Sequence, residues 1–149
     1  MDINEEIKQS AFKDEYQKLV INQLFTGKWI GDIIAQHLKP YGLSSQQYNV
    51  LRILRGQDSK AISVNGISDR MIDKMSNVSR LIDKLKAKKL IRRKTNSIDR
   101  RQVDIEITEH GLNLLDEIDQ QEDNLHNKFK NISLEEAAVL NTLLDKLRG

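Results

Sequence analysis

The fold is decided by residues 76–111, which read SNVSRLIDKLKAKKLIRRKTNSIDRRQVDIEITEHG. The first half of this stretch has apolar residues three and four positions apart, which is typical of an amphipathic helix. From Val103 onward apolar and polar residues alternate, which is typical of a strand with one buried face. A polar run over 96–101 separates two predicted strands, over 90–95 and 103–107. The stretch therefore predicts a helix followed by a β-hairpin.

Two more helices and a tight turn are predicted before this stretch. Ser44, followed three residues later by Gln47, is a capping-box pattern that opens a helix. Residues 57–61 form a loop, a short helix follows, and residues 72–74 make the turn. Asp73 is then predicted to cap the next helix. The predicted apolar faces are Tyr48, Leu51 and Leu54 in the first helix, Val64, Ile67 and Met71 in the second, and Met75, Val78, Ile82 and Leu85 in the third.

Longer amphipathic helices flank this central region. Apolar residues recur at helical spacing over 12–38, after which a proline and a glycine end the helix. Thr108 is predicted to cap a helix that continues to Phe129. A second capping-box pattern at Ser133 opens the last helix.

The order helix, short helix, turn, helix and hairpin over 40–111 is that of a winged helix-turn-helix. A chain of 149 residues is of the size of one domain. We therefore expect a single domain over 1–149 that is mainly α, with a small β-hairpin wing and flanking helices.

Positive charge is concentrated in the predicted helix-turn-helix. The chain has a net charge of +2, but residues 70–101 hold twelve Lys and Arg against three Asp, a net charge of +9. Residues 102–149 have a net charge of −7, and residues 1–69 are balanced. A basic block on a helix and a hairpin indicates a polyanionic partner, and its shape favours double-stranded DNA.

The outward face of the third helix fits a major groove. Small polar side chains near a helix start let the backbone approach base edges, and Arg or Asn can reach guanine or adenine. Lysines further along suit phosphates, which provide affinity without sequence information. The predicted DNA-binding residues here are Lys74, Ser76, Asn77, Ser79, Arg80 and Lys84, followed by Lys86, Lys88 and Lys89 as phosphate contacts.

The predicted tip of the hairpin carries Asp99, Arg100 and Arg101 in a row, where we expect them to bury no apolar surface. A hairpin tip beside a major-groove helix projects toward the flanking minor groove, whose negative potential attracts arginine. Asp99 lies two residues before Arg101, close enough to orient its guanidinium. All three residues are predicted to act in DNA binding.

Residues 76–111 resemble the MarR family of winged-helix transcriptional regulators. The similarity is carried by VSRLIDKL in the helix, KKLIRR at the first strand, the Asp-Arg-Arg wing and the closing ITEHG. It implies a repressor that acts as a homodimer on a pseudo-palindromic operator. Residues 1–39 and 112–149 would form the dimerisation helices, and residues 40–111 the DNA-binding region.

The resemblance also implies single-residue roles. Arg101 would be the arginine that enters the minor groove, with Asp99 as its orienter. Gly66 departs from the family pattern, because a helix-forming residue is common at that position. The start of the short second helix is therefore left open.

A small aromatic or anionic effector is a further implication of the resemblance. Such ligands bind MarR-like regulators in a crevice between the dimerisation helices and the winged helix. The candidates to line this crevice are Phe25, Trp29, Tyr48 and Arg52, which would serve equally well as core or dimer contacts.

Two other uses of the same fold remain open. A metal-responsive regulator is one, because His126 lies four residues after Glu122 and both could face one ion. No third ligand is apparent, so the prediction names no metal and no cofactor. A winged helix used only for protein contacts is the other, although the basic block argues against it.

The composition excludes several classes of protein. There is no cysteine, which excludes disulfides, thiolate metal sites and thiol redox sensing. The three histidines are scattered, and neither a catalytic acidic pair nor a glycine-rich phosphate loop is present, so no enzyme is indicated. No apolar run approaches the ~20 residues that cross a bilayer. We expect a soluble, cytoplasmic protein with no membrane partner.

Overall fold

The structure, a computed structural model, describes residues 1–9, 11–58, 60–96 and 103–149. The predicted mainly α fold with a small β-sheet is confirmed. Short 3-10 turns occupy Lys39–Tyr41 and Asn127–Phe129. The helices are α1 Ile3–Glu6, α2 Glu15–Leu38, α3 Ser45–Arg55, α4 Val64–Arg70, α5 Val78–Ala87, α6 Glu109–Asp119, α7 Glu122–His126 and α8 Leu134–Arg148, and the strands are β1 Ile62–Ser63, β2 Ile91–Thr95 and β3 Val103–Ile107.

The sheet has three antiparallel strands in the order β1-β3-β2, one more than the predicted hairpin. The added strand, β1, pairs Ile62 with Ile105. Two residues are too few to show alternation, so the sequence pattern could not reveal this strand. In the hairpin, Arg92 faces Glu106 and Lys94 faces Asp104, and opposite charges facing each other stabilise a strand pair.

Local capping patterns place three helix starts as predicted. The capping boxes at Ser44 and Ser133 are both formed, and the Thr108 side chain accepts a hydrogen bond from the Gly111 amide. The long helix α2 begins at Glu15 rather than at residue 12, because the side chain of Asp14 caps it.

The prediction that Asp73 caps the third helix is wrong. Asn77 is the cap of α5, and its side chain accepts a hydrogen bond from the Arg80 amide at 3.1 Å. Asp73 instead accepts one from the Met75 amide at 3.0 Å and closes the preceding turn. Met75, predicted to be buried, is consequently 92% exposed.

The helix predicted to run from residue 109 to Phe129 is broken after Asp119. Residues 119–124 are all polar, so no buried contact holds this segment in one continuous helix. The break turns the chain so that the Phe129 ring meets the Trp29 ring edge to face, with centroids 5.8 Å apart.

The hydrophobic core lies between α3, the helices α4 and α5, the sheet and α6. Leu51, Ile67, Ile82 and Ile105 are completely buried in it, together with Leu115 of α6. The helix that follows the hairpin is therefore packed as part of the winged helix.

Two glycines are required by close packing. A Cβ on Gly66 would lie 2.7 Å from Cγ1 of Ile62, and a Cβ on Gly111 would lie 2.3 Å from the carbonyl oxygen of Leu90. Gly66, which departs from the family pattern, therefore lets α4 pack against β1. The start of α4 is settled at Val64, with Ser63 as its cap.

Rows of apolar side chains remain exposed on α2 and α8. The most exposed residues of the two rows are Tyr16, Val20 and Leu24 on α2 and Leu134, Val139, Leu143 and Leu147 on α8.

None of the helices in the described part of the chain is long and apolar enough to cross a membrane.

Candidate nucleic-acid interface

Helices α4 and α5 form the helix-turn-helix, and α3 holds the turn between them. The side chain of Asn49 on α3 accepts a hydrogen bond from the Ile72 amide at 2.9 Å. The inner face of α5 is anchored by Val78, Ile82 and Leu85, which are 6%, 0% and 0% exposed. Because these residues face the core, the opposite face of α5 is directed to solvent.

The solvent face of α5 carries Ser79, Arg80 and Lys84, all of which are exposed. Arg80 and Lys84 form no ion pair with any residue that the structure describes. Unpaired cations on an exposed helix face are available to an external anion. The helix face predicted to point outward from Val78 onward is therefore exposed to solvent.

A groove of about 480 Å³ runs along this face. One wall is the start of α3, with Ser44 and Gln46, neither of which was predicted to belong to the site. The start of α3 meets the groove only through the tertiary fold, so no local pattern could identify these two residues. The other side of the groove is lined by Asp73, Met75, Ser76, Asn77, Arg80, Leu81 and Lys84.

Three predicted residues lie in the turn before α5 rather than on the helix. Lys74 donates a hydrogen bond through Nζ to the carbonyl oxygen of Asp69, which directs it toward α4. The Oγ of Ser76 is buried and has no partner among the described residues. The side-chain oxygen of Asn77 is used by the cap, which leaves its amide nitrogen available to donate.

Several cations near the sheet are already paired. Arg92 pairs with Glu106, and Arg93 pairs with Asp83 on α5. Lys88, predicted as a phosphate contact, instead donates to the carbonyl oxygen of Gly42. The wing residues Asp99, Arg100 and Arg101 lie outside the described residues.

The four predicted effector residues do not line one cavity. Phe25 and Trp29 line a cavity of about 230 Å³ beside α1, which Tyr48 and Arg52 do not line. Arg52 donates to Asp119 at 3.2 Å and to the Tyr48 hydroxyl at 3.3 Å. Tyr48 and Arg52 thus belong to a contact between α3 and α6.

A larger cavity, of about 530 Å³, lies where α2 meets α7. His37 and Tyr41 line one side, with ring centroids 6.3 Å apart, and Asn124 and Lys128 line the other. The Nε2 atom of His37 is buried and has no hydrogen-bond partner among the described residues. The cavity therefore has a lysine and two rings, those of His37 and Tyr41, in its lining.

The predicted pair Glu122 and His126 lies on one face of α7, with Oε1 and Nε2 3.6 Å apart. Within the described ranges of the chain, no three His, Cys, Asp or Glu side chains are grouped so as to hold a metal ion.

The fold places the chain among MarR-type winged-helix proteins. A cysteine-to-serine mutant of E. coli MarR, solved in complex with operator DNA, superposes with a TM-score of 0.82 over 93% of this chain and 99% of that one, at 23% identity. Bordetella bronchiseptica BpsR, solved in a study of the regulation of its DNA binding by 6-hydroxynicotinic acid, gives a TM-score of 0.72 over 91% and 100%, at 25% identity.

Sequence comparison assigns the family. The model of the transcriptional regulators SarA/Rot matches residues 32–118, and the chain belongs to this family. It is also 30% identical to the HTH-type transcriptional regulator MhqR of Bacillus subtilis (strain 168) over 89 residues, which are 60% of each chain. The chain thus belongs to a family of transcriptional regulators and has the MarR-type fold.

Proposed function

We propose that this protein binds a pseudo-palindromic operator as a homodimer and represses transcription until a small-molecule effector releases it. The observation that carries the proposal is the exposed face of α5, where Arg80 and Lys84 stand unpaired with any described residue in a segment of net charge +9. A mutant of E. coli MarR, a protein of the same fold, was solved in complex with operator DNA, which supports DNA as the partner.

Most of the predicted DNA-binding residues have a role in this proposal. Ser79 and Arg80 would read base edges, while Lys84 would contact phosphate. The amide of Asn77 would donate to a base or a phosphate. Arg100 and Arg101 would act from the wing, with Asp99 orienting Arg101, a proposal that rests on the sequence and the family resemblance.

Dimerisation would use the exposed rows on α2 and α8. Large contiguous apolar surfaces are uncommon on monomers and mark association sites. Residues 1–39 and 112–149 would supply this interface, and residues 40–111 would bind DNA. Helix α6 would connect the two regions, since its Leu115 and Ile118 are buried in the winged-helix core.

The cavity between α2 and α7 is the better candidate for the effector site. Lys128 would attract an anion, and the rings of His37 and Tyr41 would contact an aromatic ligand. The cavity also lies beside the break at 120–121. A ligand bound there would therefore favour one arrangement of α6 relative to α7. The 6-hydroxynicotinic acid of BpsR is a small aromatic anion of this kind.

The effector proposal is tested by titrating 6-hydroxynicotinic acid, as a probe of small aromatic carboxylates, into the protein by calorimetry. We expect binding that weakens at least threefold in Lys128→Ala and His37→Ala, whereas Lys28→Ala, on an exposed part of α2, binds as the wild type does. Equal affinity in all four proteins would place the effector site elsewhere, and no binding would reject small aromatic carboxylates as the effector.

DNA binding is tested by selecting fragments from the parent genome and measuring their affinity by gel shift. We expect an enriched inverted repeat whose binding weakens steeply with salt, because phosphate contacts release counterions. Failure to enrich any sequence would reject the proposal in favour of a winged helix used for protein contacts.

A further inference from the structure

Met75 is an apolar side chain held out of the protein by a defined turn. Its amide donates to the Asp73 side chain at 3.0 Å, and the Ser76 amide donates to the Asp73 carbonyl oxygen at 3.2 Å. These bonds close the turn just before α5 and leave Met75 92% exposed. The exposure of Met75 is therefore a property of a hydrogen-bonded turn.

The surroundings of Met75 are polar and basic. It lines the same groove as Asn77, Arg80 and Lys84 at the start of the recognition helix. A single exposed apolar residue on an ordinary surface needs no explanation. Here the apolar tip stands among the groups that would contact DNA, so its own partner should be an apolar group carried by DNA.

The major groove presents one such group, the C5-methyl of thymine, while the other major-groove base-edge groups are polar donors and acceptors. Methionine is suited to this contact because its unbranched, polarisable side chain adapts to an irregular surface. We propose that Met75 contacts a thymine methyl group in each half-site and is a specificity-determining residue. This inference rests on the proposed function, since it requires that α5 enter the major groove.

Ile72 provides a matched control within the same turn. It is 87% exposed, and its amide is held by Asn49. Ile72 does not line the groove at the start of α5. If exposure in the turn were sufficient for contact with thymine, both Met75 and Ile72 would contribute to discrimination between thymine and uracil. If position in the groove decides, only Met75 would contribute.

The experiment replaces the thymines of the selected operator by uracil, one position of each half-site at a time. Uracil keeps every base-pairing group and removes only the methyl. For the wild type we expect about a fourfold loss of affinity per half-site at one position, the effect of exposing one buried methyl group. Met75→Gln, of similar length but polar, should bind the thymine and uracil operators equally, while Met75→Leu and Ile72→Gln should keep the difference.

The outcomes separate this inference from the proposed function. If the wild type enriches no operator, the proposed function fails, and the inference fails with it. If it binds an operator but no uracil substitution weakens binding, only the contact with thymine is wrong. If Met75→Gln still discriminates thymine from uracil, the methyl group is contacted by another residue, and the assignment to Met75 is overturned.

Discussion

Gly111 lies in the first turn of α6, against the backbone that enters the wing. A Cβ at this position would lie 2.3 Å from the Leu90 carbonyl oxygen, which is held in place because it accepts the Thr108 amide at 3.0 Å. Gly111→Ala should lower the free energy of unfolding by about 1–3 kcal/mol, measured by urea denaturation. Gly56→Ala is the control, since its Cβ would meet only ordinary contacts at 3.5 Å and its change should stay within about 1 kcal/mol. Equal changes would show that the close approach at Gly111 is relieved by backbone movement.

Arg80 and Lys84 share a face of α5, yet they should contribute differently to DNA binding. Arg80→Ala should cost about 1–3 kcal/mol and relax sequence preference at one position per half-site, because it would remove a base contact. Lys84→Ala should weaken binding evenly across sequences and reduce the salt slope by about one, as expected for a phosphate contact. Binding selections with each variant measure both effects. A uniform loss for Arg80→Ala would make it a phosphate contact instead.

The sequence and the family resemblance together rank the two arginines of the predicted wing. Arg101→Ala should weaken operator binding and reduce any preference for A·T-rich flanks, because a narrow minor groove has the strongest negative potential. Asp99→Ala should reproduce part of this loss, and Arg100→Ala should act mainly on the salt slope. Melting temperature should remain unchanged in all three variants. A larger loss for Arg100→Ala than for Arg101→Ala would reverse the assignment.

At the scale of elements, an ion-pair cluster joins α3 to the end of α6. Arg55 donates to Asp119 at 2.7 Å, and Arg52 reaches the same carboxylate at 3.2 Å. The hydrogen bond to Asp119 raises the pKa of the Arg55 guanidinium above its usual value. Asp119 is the last residue of α6, so the cluster fixes the helix end from which the chain turns into α7.

A double-mutant cycle between Arg55 and Asp119 measures this contact. Because both side chains are about one third exposed or less, solvent screening limits the coupling to about 1 kcal/mol in the free energy of unfolding. The exposed pair Lys28 and Asp32, within α2, should give less than half of that coupling. Equal coupling in the two cycles would show that the contact between α3 and α6 adds nothing beyond a surface ion pair.

At the scale of the molecule, the exposed apolar rows on α2 and α8 predict association. Light scattering at micromolar concentration should give twice the chain mass of 17.2 kDa. Leu143→Glu, in the exposed row of α8, should shift the protein toward the monomer because it would place a charge in the proposed interface. Ile72→Glu, an equally polar change on the DNA-binding side, should leave the mass unchanged. A folded wild-type monomer would contradict the dimer.

Local patterns in the sequence were sufficient for much of this architecture. The helix starts after Ser44, Thr108 and Ser133 were predicted correctly, because a cap depends on residues three positions apart. The strand Val103–Ile107 was predicted with its observed bounds, because alternation identifies a half-buried strand. The outward face of α5 from Val78 onward followed from helical periodicity in the same way.

Only the tertiary structure decided the features that depend on residues distant in the chain. Strand β1 exists because Ile62 pairs with Ile105. The end of α6 is held by the pairing of Asp119 with Arg52 and Arg55 of α3. The turn before α5 is held by Asn49 and directs Met75 to solvent, whereas its apolar character alone predicted burial. The candidate effector cavity likewise joins two segments far apart in sequence. Periodicity records which side chains prefer burial, but which of them find partners is determined by contacts between elements, and no short window of sequence contains those contacts.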